Sequence, residues 1–152
     1  MKEYVKKNFI ETVRDFTAFG NPLILFILST LVLGLDKNLI YILIGLIFIE
    51  LVSRGIRIFY YKDRPRKEAH NNFLEKLDAS SFPSIHSARS SFIFLVLYSL
   101  TNYPANLLFI LLFLIVGFTR IMLKKHYLID VLFGFIIGGI TYLIWLAIIW
   151  IT

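Results

Sequence analysis

The polar residues that could do chemistry fall into three short islands. In the last, Thr119-Arg-Ile-Met-Leu-Lys-Lys-His126-Tyr-Leu-Ile-Asp130, a histidine and an aspartate stand four apart where an apolar run begins. On a helix start that spacing lets them touch. A carboxylate on one imidazole nitrogen fixes the tautomer and leaves the other nitrogen as a nucleophile. The plainer alternative is a satisfied His–Asp pair at a membrane surface. Metal binding is the weaker reading, because the other histidines, His70 and His86, bring no close ligand pair. The middle island is Ser81-Phe-Pro83-Ser84-Ile85-His86-Ser87. Ser84, following proline, is a candidate N-cap. A helix start offers backbone N–H groups to an anion, and His86 in the first turn could give a proton to a leaving oxygen. The first island is Arg57-Ile-Phe-Tyr-Tyr-Lys-Asp-Arg64-Pro65. Its two arginines are two helical turns apart, so they share a face and suit a phosphate. Taken alone, they also read as positively charged residues flanking a membrane span.

These islands need apolar helices to hold them. The chain is 58% hydrophobic and 16% aromatic, above the soluble average of about 45–50% apolar, and the excess lies in blocks. Five runs follow an amphipathic N-terminus: residues 23–35, 39–53, 84–101, 105–122 and 127–151. The last three reach the length of roughly 17–25 residues needed to cross a bilayer. The first two reach it by borrowing residues 20–22 and by running on through Phe59-Tyr60-Tyr61. The expectation is a single all-α membrane domain over 1–152, a bundle of about five spans.

Residues 1–19 read as an amphipathic helix, with Val5, Phe9, Val13 and Phe16 on one face. It either lies among the headgroups or packs on the bundle. Gly20-Asn21-Pro22 breaks the chain after it. Gly134, Gly138 and Gly139 form a small-residue pattern in the last helix, read as a packing seam within the chain, with a dimer contact as the alternative. Glu50 shares a face with Arg54 and Arg57 and is expected to pair with one of them. Residues 66–81, with Ala69, Phe73 and Leu77 at four-residue spacing, read as an interfacial lid or a passive connector. His70 has no evident partner.

The charge is +6 and there is no cysteine, which excludes disulfides and a cysteine nucleophile. The basic residues crowd the ends of apolar runs, so anionic lipid is the expected partner and nucleic acid is not. Most lie on the side of the three islands, with Lys37 alone opposite, which places the islands on the cytoplasmic face of a multi-pass membrane protein. No cleavable signal is expected in the charged N-terminal segment. Oligomeric state is not set by these features.

In order, the islands are Arg57-x6-Arg64-Pro65, Pro83-Ser84-Ile85-His86 and Thr119-Arg120-x5-His126-x3-Asp130. The series resembles the three-part signature of the type 2 phosphatidic acid phosphatase superfamily: Lys-x6-Arg-Pro, Pro-Ser-Gly-His and Ser-Arg-x5-His-x3-Asp. The resemblance implies that His126 attacks phosphorus to form a phosphohistidine and that Asp130 orients it. It implies that His86 protonates the departing lipid oxygen and then activates water. Arg57, Arg64, Ser84, the Ile85 backbone and Arg120 would hold the phosphoryl oxygens, with no metal or other cofactor. Three positions depart from the signature: Arg57 for lysine, Thr119 for serine and Ile85 for glycine. Ile85 can offer its N–H only where the backbone takes angles that a β-branched residue tolerates.

The expected activity is hydrolysis of a membrane lipid phosphate or diphosphate. Isoprenoid diphosphate is favoured, because a minimal bundle has little soluble apparatus to read a complex head. Phosphatidylglycerophosphate and phosphatidate stay open. The rivals are a lipid phosphotransferase and a non-catalytic lipid-head-group binding protein.

Overall fold

A computed structural model describes residues 2–66 and 71–151. Among these it forms seven α-helices: α1 (Lys2–Thr17), α2 (Pro22–Leu33), α3 (Asn38–Phe59), α4 (Phe73–Ala79), α5 (Ile85–Leu100), α6 (Ala105–Met122) and α7 (Leu128–Ile151). Ala69, His70 and the side chains of residues 2–8 lie outside the description, so the expected face through Val5 and the start of the lid are named but not placed.

The punctuation follows local chemistry. A 3-10 turn at Ala18–Gly20 leads into a bend of 68° before α2. The Asn21 side chain accepts from the Leu23 N–H at 2.9 Å, and Pro22 occupies the first turn, where its missing N–H matters least. α2 stops at Gly34, whose φ of 69° favours a residue without Cβ. The Asp36 carboxylate then accepts from the Asn38 N–H at 2.7 Å to begin α3.

α5 is the axis of the bundle. Ala88, Phe92, Ile93, Phe94, Val96 and Leu97 are wholly buried, as are Ser87 and Ser90. A helix buried all round is a core element. In lipid, helices associate through close packing and hydrogen bonds rather than escape from water, and the α5–α7 contact is built that way. A Cβ at Gly134 would come within 2.5 Å of the Ser84 carbonyl, and one at Gly138 would collide with the Ser91 hydroxyl and the Ala88 carbonyl. The expected seam is therefore internal. Gly139, with nothing within 4 Å, is not part of it. The Ser90 and Ser91 hydroxyls bond back to the carbonyls of Ser87 and Ala88, so these small polar residues sit satisfied inside the bundle. α6 packs on the other side through stacked Phe94 and Phe109.

The span expectation is narrowed. α3 (22 residues) and α7 (24 residues) are long and apolar enough to cross a membrane, and the bent pair of α1 and α2 makes up to three. α5 has 16 residues and α6 has 18, about 24 and 27 Å at 1.5 Å per residue, against a hydrocarbon core of about 30 Å. Ser84 and Thr101, counted into the third apolar run, are caps outside the helix. α3 does run on as expected, to Phe59. At the N-terminus α1 packs along α6, with the Thr17 hydroxyl donating to Thr119 at 2.8 Å, while Phe9, Ile10 and Phe16 stay exposed.

Candidate active site

Backbone hydrogen bonds knit the three islands together. The Ser81 N–H donates to the Lys62 carbonyl at 2.7 Å, and the Ser84 N–H to the Asp130 carbonyl at 2.9 Å. The Arg66 N–H reaches the Lys124 carbonyl at 3.0 Å. α6 ends in a turn with Lys124 at φ 55°, and the Arg120 carbonyl accepts from the N–H groups of Lys125 and His126. That turn swings His126 back over the end of α6.

The islands enclose a cavity of about 200 Å³. Arg57, Arg64, Arg89 and Arg120 line it with His86 and His126, and Ile85 and Asp78 complete the wall. Of the expected site residues, Arg57, Arg64, Ile85, His86, Arg120 and His126 therefore meet in one place. Ser84 and Asp130 are fully buried and are not part of the wall.

His126 is 2% exposed, and its Nδ1 lies 2.5 Å from the Ser81 carbonyl oxygen. A carbonyl only accepts, so Nδ1 carries the proton and Nε2 keeps its lone pair. Burial pushes the imidazole well below its ordinary pKa, the nearby Arg120 guanidinium pushes the same way, and the Ser81 carbonyl opposes them. The result is a neutral ring with a fixed tautomer.

The expected His126–Asp130 hydrogen bond does not form. Asp130 Oδ1 accepts from Lys62 Nζ at 2.6 Å and Oδ2 from the Tyr127 N–H at 2.8 Å. The reason is local: α7 begins at Leu128, so His126 lies in the preceding loop and the four-residue helical spacing does not apply. Asp130 instead satisfies an N–H at the start of α7 and anchors Lys62, whose ammonium also lies 4.6 Å from the centre of the Tyr127 ring.

Arg57 is 4% exposed and donates from Nη1 to the Leu77 carbonyl at 3.0 Å and from Nη2 to the Pro83 carbonyl at 2.9 Å. Its fork straps the segment between α4 and α5 onto α3, a geometry that lysine could not reproduce. Its Nε is buried with no hydrogen-bond partner among the described residues. Arg64 Nη2 donates to the Asp78 carbonyl at 2.5 Å. Glu50 pairs with Arg54 at 2.5 Å, as its spacing allows, and also with Arg89; Arg57 is not its partner.

Ser84 is the N-cap residue of α5, as expected, but its hydroxyl pairs with that of Ser87 at 2.8 Å rather than capping a backbone N–H. Ile85 opens α5 in ordinary helical conformation, since Lys124 is the positive-φ non-glycine residue among those described. The position thus makes no demand that only glycine could meet. His86 packs against Gly20, where a Cβ would lie 2.7 Å from its ring, and has no hydrogen-bond partner among the described residues. No group of three His, Asp or Glu able to hold a metal occurs among the described residues.

Arg89, Asp78, Lys62 and the Ser81 carbonyl were not among the expected site residues. Arg89 carried a readable signal, standing one helical turn after His86. Asp78 and Ser81 gave none, and Lys62 finds its partner 68 residues away.

The same architecture occurs in a solved structure described as the first transmembrane PAP2 type phosphatidylglycerolphosphate phosphatase from Bacillus subtilis. The TM-score is 0.71 at 18% identity, over 92% of this chain and 76% of that one. At that identity the likeness establishes the fold. The family model of the PAP2 superfamily matches residues 38–152, a stretch that contains all three islands and every helix from α3 onward. This chain belongs to the PAP2 superfamily of membrane phosphatases.

Proposed function

We propose that this protein hydrolyses a lipid phosphate or diphosphate at the membrane surface through a phosphohistidine on His126. The observation that carries the reading is the His126 imidazole, held by the Ser81 carbonyl with Nε2 unprotonated, in the wall of a cavity lined by four arginines. Nε2 attacks phosphorus, and the bond from phosphorus to the lipid oxygen breaks. The bound phosphate offsets the surrounding guanidiniums, so that His86 takes up a proton and delivers it to that oxygen. A water molecule, deprotonated in turn by His86, then attacks the phosphohistidine and releases phosphate. Arg57, Arg64 and Arg120 balance the charge on the phosphoryl oxygens, the role that fixed dipoles and guanidiniums play in phosphoryl transfer. The helix start at Ile85 contributes N–H groups to the same end. Asp130 acts at one remove, holding Lys62 and the start of α7.

The site lies at the end of the bundle that carries most of the basic residues, which favours the cytoplasmic face. Isoprenoid diphosphate remains the favoured substrate on the ground that little soluble structure surrounds the cavity. Phosphatidylglycerophosphate gains support from the solved relative, which is described as a phosphatase of that lipid.

The test is phosphate release by purified protein, in chelator, from farnesyl diphosphate, phosphatidylglycerophosphate and phosphatidate. Release is expected, with a loss of about 10⁴-fold or more in His126→Ala, as for removal of a nucleophile. His86→Ala should lose about 10²–10⁴-fold, the range of general acid–base catalysis. Wild-type rates in both variants would sink the mechanism. Transfer of the phosphoryl group to an added alcohol would favour the phosphotransferase reading, and binding without turnover or a trapped phosphohistidine would favour the binding protein.

A further inference from the structure

Arg89 touches two spaces at once. It lines the arginine cavity with His86 and His126, and it also closes the polar end of a groove of about 460 Å³ between α2 and α3. The groove walls are Phe26, Leu43, Leu46 and Ile47, with Glu50 beside Arg89 at the end. Leu43 and Ile47 are about half exposed, so the groove opens on the apolar flank of the bundle where a hydrocarbon chain could enter. A lipid whose terminal phosphoryl group reaches His126 and whose chain lies in this groove must place its intervening atoms beside Arg89.

The guanidinium is prepared for an anion there. One of its nitrogens, Nη2, pairs with Glu50, and Nε is buried without a hydrogen-bond partner among the described residues. A guanidinium offers five N–H donors, so donors remain after the ion pair is made. Glu50 also holds Arg54, which reaches on to Asp78 at 3.2 Å. Glu50 therefore fixes Arg89 at the junction and keeps its charge compensated. An anionic group taken out of water at that point is costly unless a cation meets it. A lipid monophosphate brings no such group; a lipid with two phosphates does.

We propose that Arg89, positioned by Glu50, forms a second phosphate subsite that selects lipids carrying another phosphate between the terminal phosphoryl group and the apolar chain. The inference rests on the phosphatase reading above. Two lipid chemistries supply the feature: a diphosphate ester, with the second phosphate bonded directly to the first, and a glycerophosphate head, with the second phosphate one glycerol away.

The experiment compares kcat/KM for farnesyl diphosphate and phosphatidylglycerophosphate with that for farnesyl phosphate and phosphatidate. Wild type, Arg89→Ala and Arg89→Lys are measured as full chains in detergent. Wild type should prefer at least one two-phosphate lipid over the monophosphate with the same kind of chain. Arg89→Ala should lower that preferred activity at least about tenfold more than it lowers the activities on the monophosphates, as expected for loss of one charge-matched donor set at the second phosphate. Arg89→Lys, which keeps the charge without the fork, should recover part of the selectivity, and it answers the question where Arg89→Ala does not fold. Selective loss on farnesyl diphosphate identifies the diphosphate ester; selective loss on phosphatidylglycerophosphate identifies the glycerophosphate head. Equal losses on all four lipids, or an unchanged preference in both variants, overturns the subsite while leaving the phosphatase intact. No release from any of the four by wild type overturns the phosphatase reading and the subsite with it.

Discussion

The two flanks of α5 are built in opposite ways. Toward α7 the helices meet backbone to backbone, with Gly134 and Gly138 against the Ser84 and Ala88 carbonyls and Ser91. Toward α2 and α3 the bundle leaves an apolar groove whose polar end is an ion-paired network of Glu50, Arg54, Arg89 and Asp78. The tight flank sets His86 relative to His126, because His86 lies in the first turn of α5 and His126 in the loop that leads into α7. The open flank can admit a chain. The lesson is that rigidity and access are separated in space: His86 and His126 hang on the contact that has no slack, and Arg89 stands on the side with room.

That contrast can be broken first at its anchor. Asp130 is fully buried, and Asp130→Ala would leave Lys62 and the Tyr127 N–H without their acceptor. Removing the shared acceptor of a backbone N–H and a half-buried ammonium costs about 2–3 kcal/mol, read as a lower midpoint in thermal unfolding in detergent. The milder Asp130→Asn keeps the shape, and because the Ser81 carbonyl holds His126, it should still yield a phosphohistidine in rapid-quench trapping. Loss of trapping as complete as in His126→Ala would mean that Asp130, not Ser81, orients the ring in turnover.

The seam itself predicts a paired result. Gly138→Ala places a methyl against the Ser91 hydroxyl and the Ala88 carbonyl and should destabilise by about 1–3 kcal/mol, as overpacking does. Gly139→Ala, with open space around it, should change the unfolding midpoint little or raise it slightly. Equal effects at the two glycines would mean that the α5–α7 contact is looser than described.

The smallest expected effect is in pH. His126 has a folded pKa below its unfolded value near 6.5. Between those values the unfolded chain binds a proton that the folded chain does not, so stability rises with pH in that window. The contribution is present in full above about pH 6.5 and is lost as pH falls toward the folded value, at most about 1.4 kcal/mol per pH unit. The difference in stability between wild type and His126→Phe should accordingly shift in that direction between pH 7 and 5. A flat difference would show that the imidazole titrates alike in both states.

The islands were legible in the sequence because histidine, aspartate and arginine recur there at fixed spacings where they enter apolar helices, and such groups are costly inside an apolar helix unless they are paired or functional. Glu50–Arg54 was legible as a one-turn pair, and the glycine seam as a spacing of four. The His126–Asp130 contact was misread because a four-residue spacing means contact only inside a helix, and α7 starts after His126. Five spans were anticipated because apolar run lengths count residues that the structure uses as caps and bends.

The sequence by itself determined the class of molecule, the three islands and their order, because hydropathy and spacing act locally along the chain. Only the tertiary structure decided which carbonyl holds His126, which lysine answers Asp130, and that Arg89 stands between a charged cavity and an apolar groove. Those are meetings between residues some 40 to 70 positions apart, such as His126 with Ser81 and Asp130 with Lys62. They follow from how α3, α5 and α7 are packed, and no local pattern encodes them.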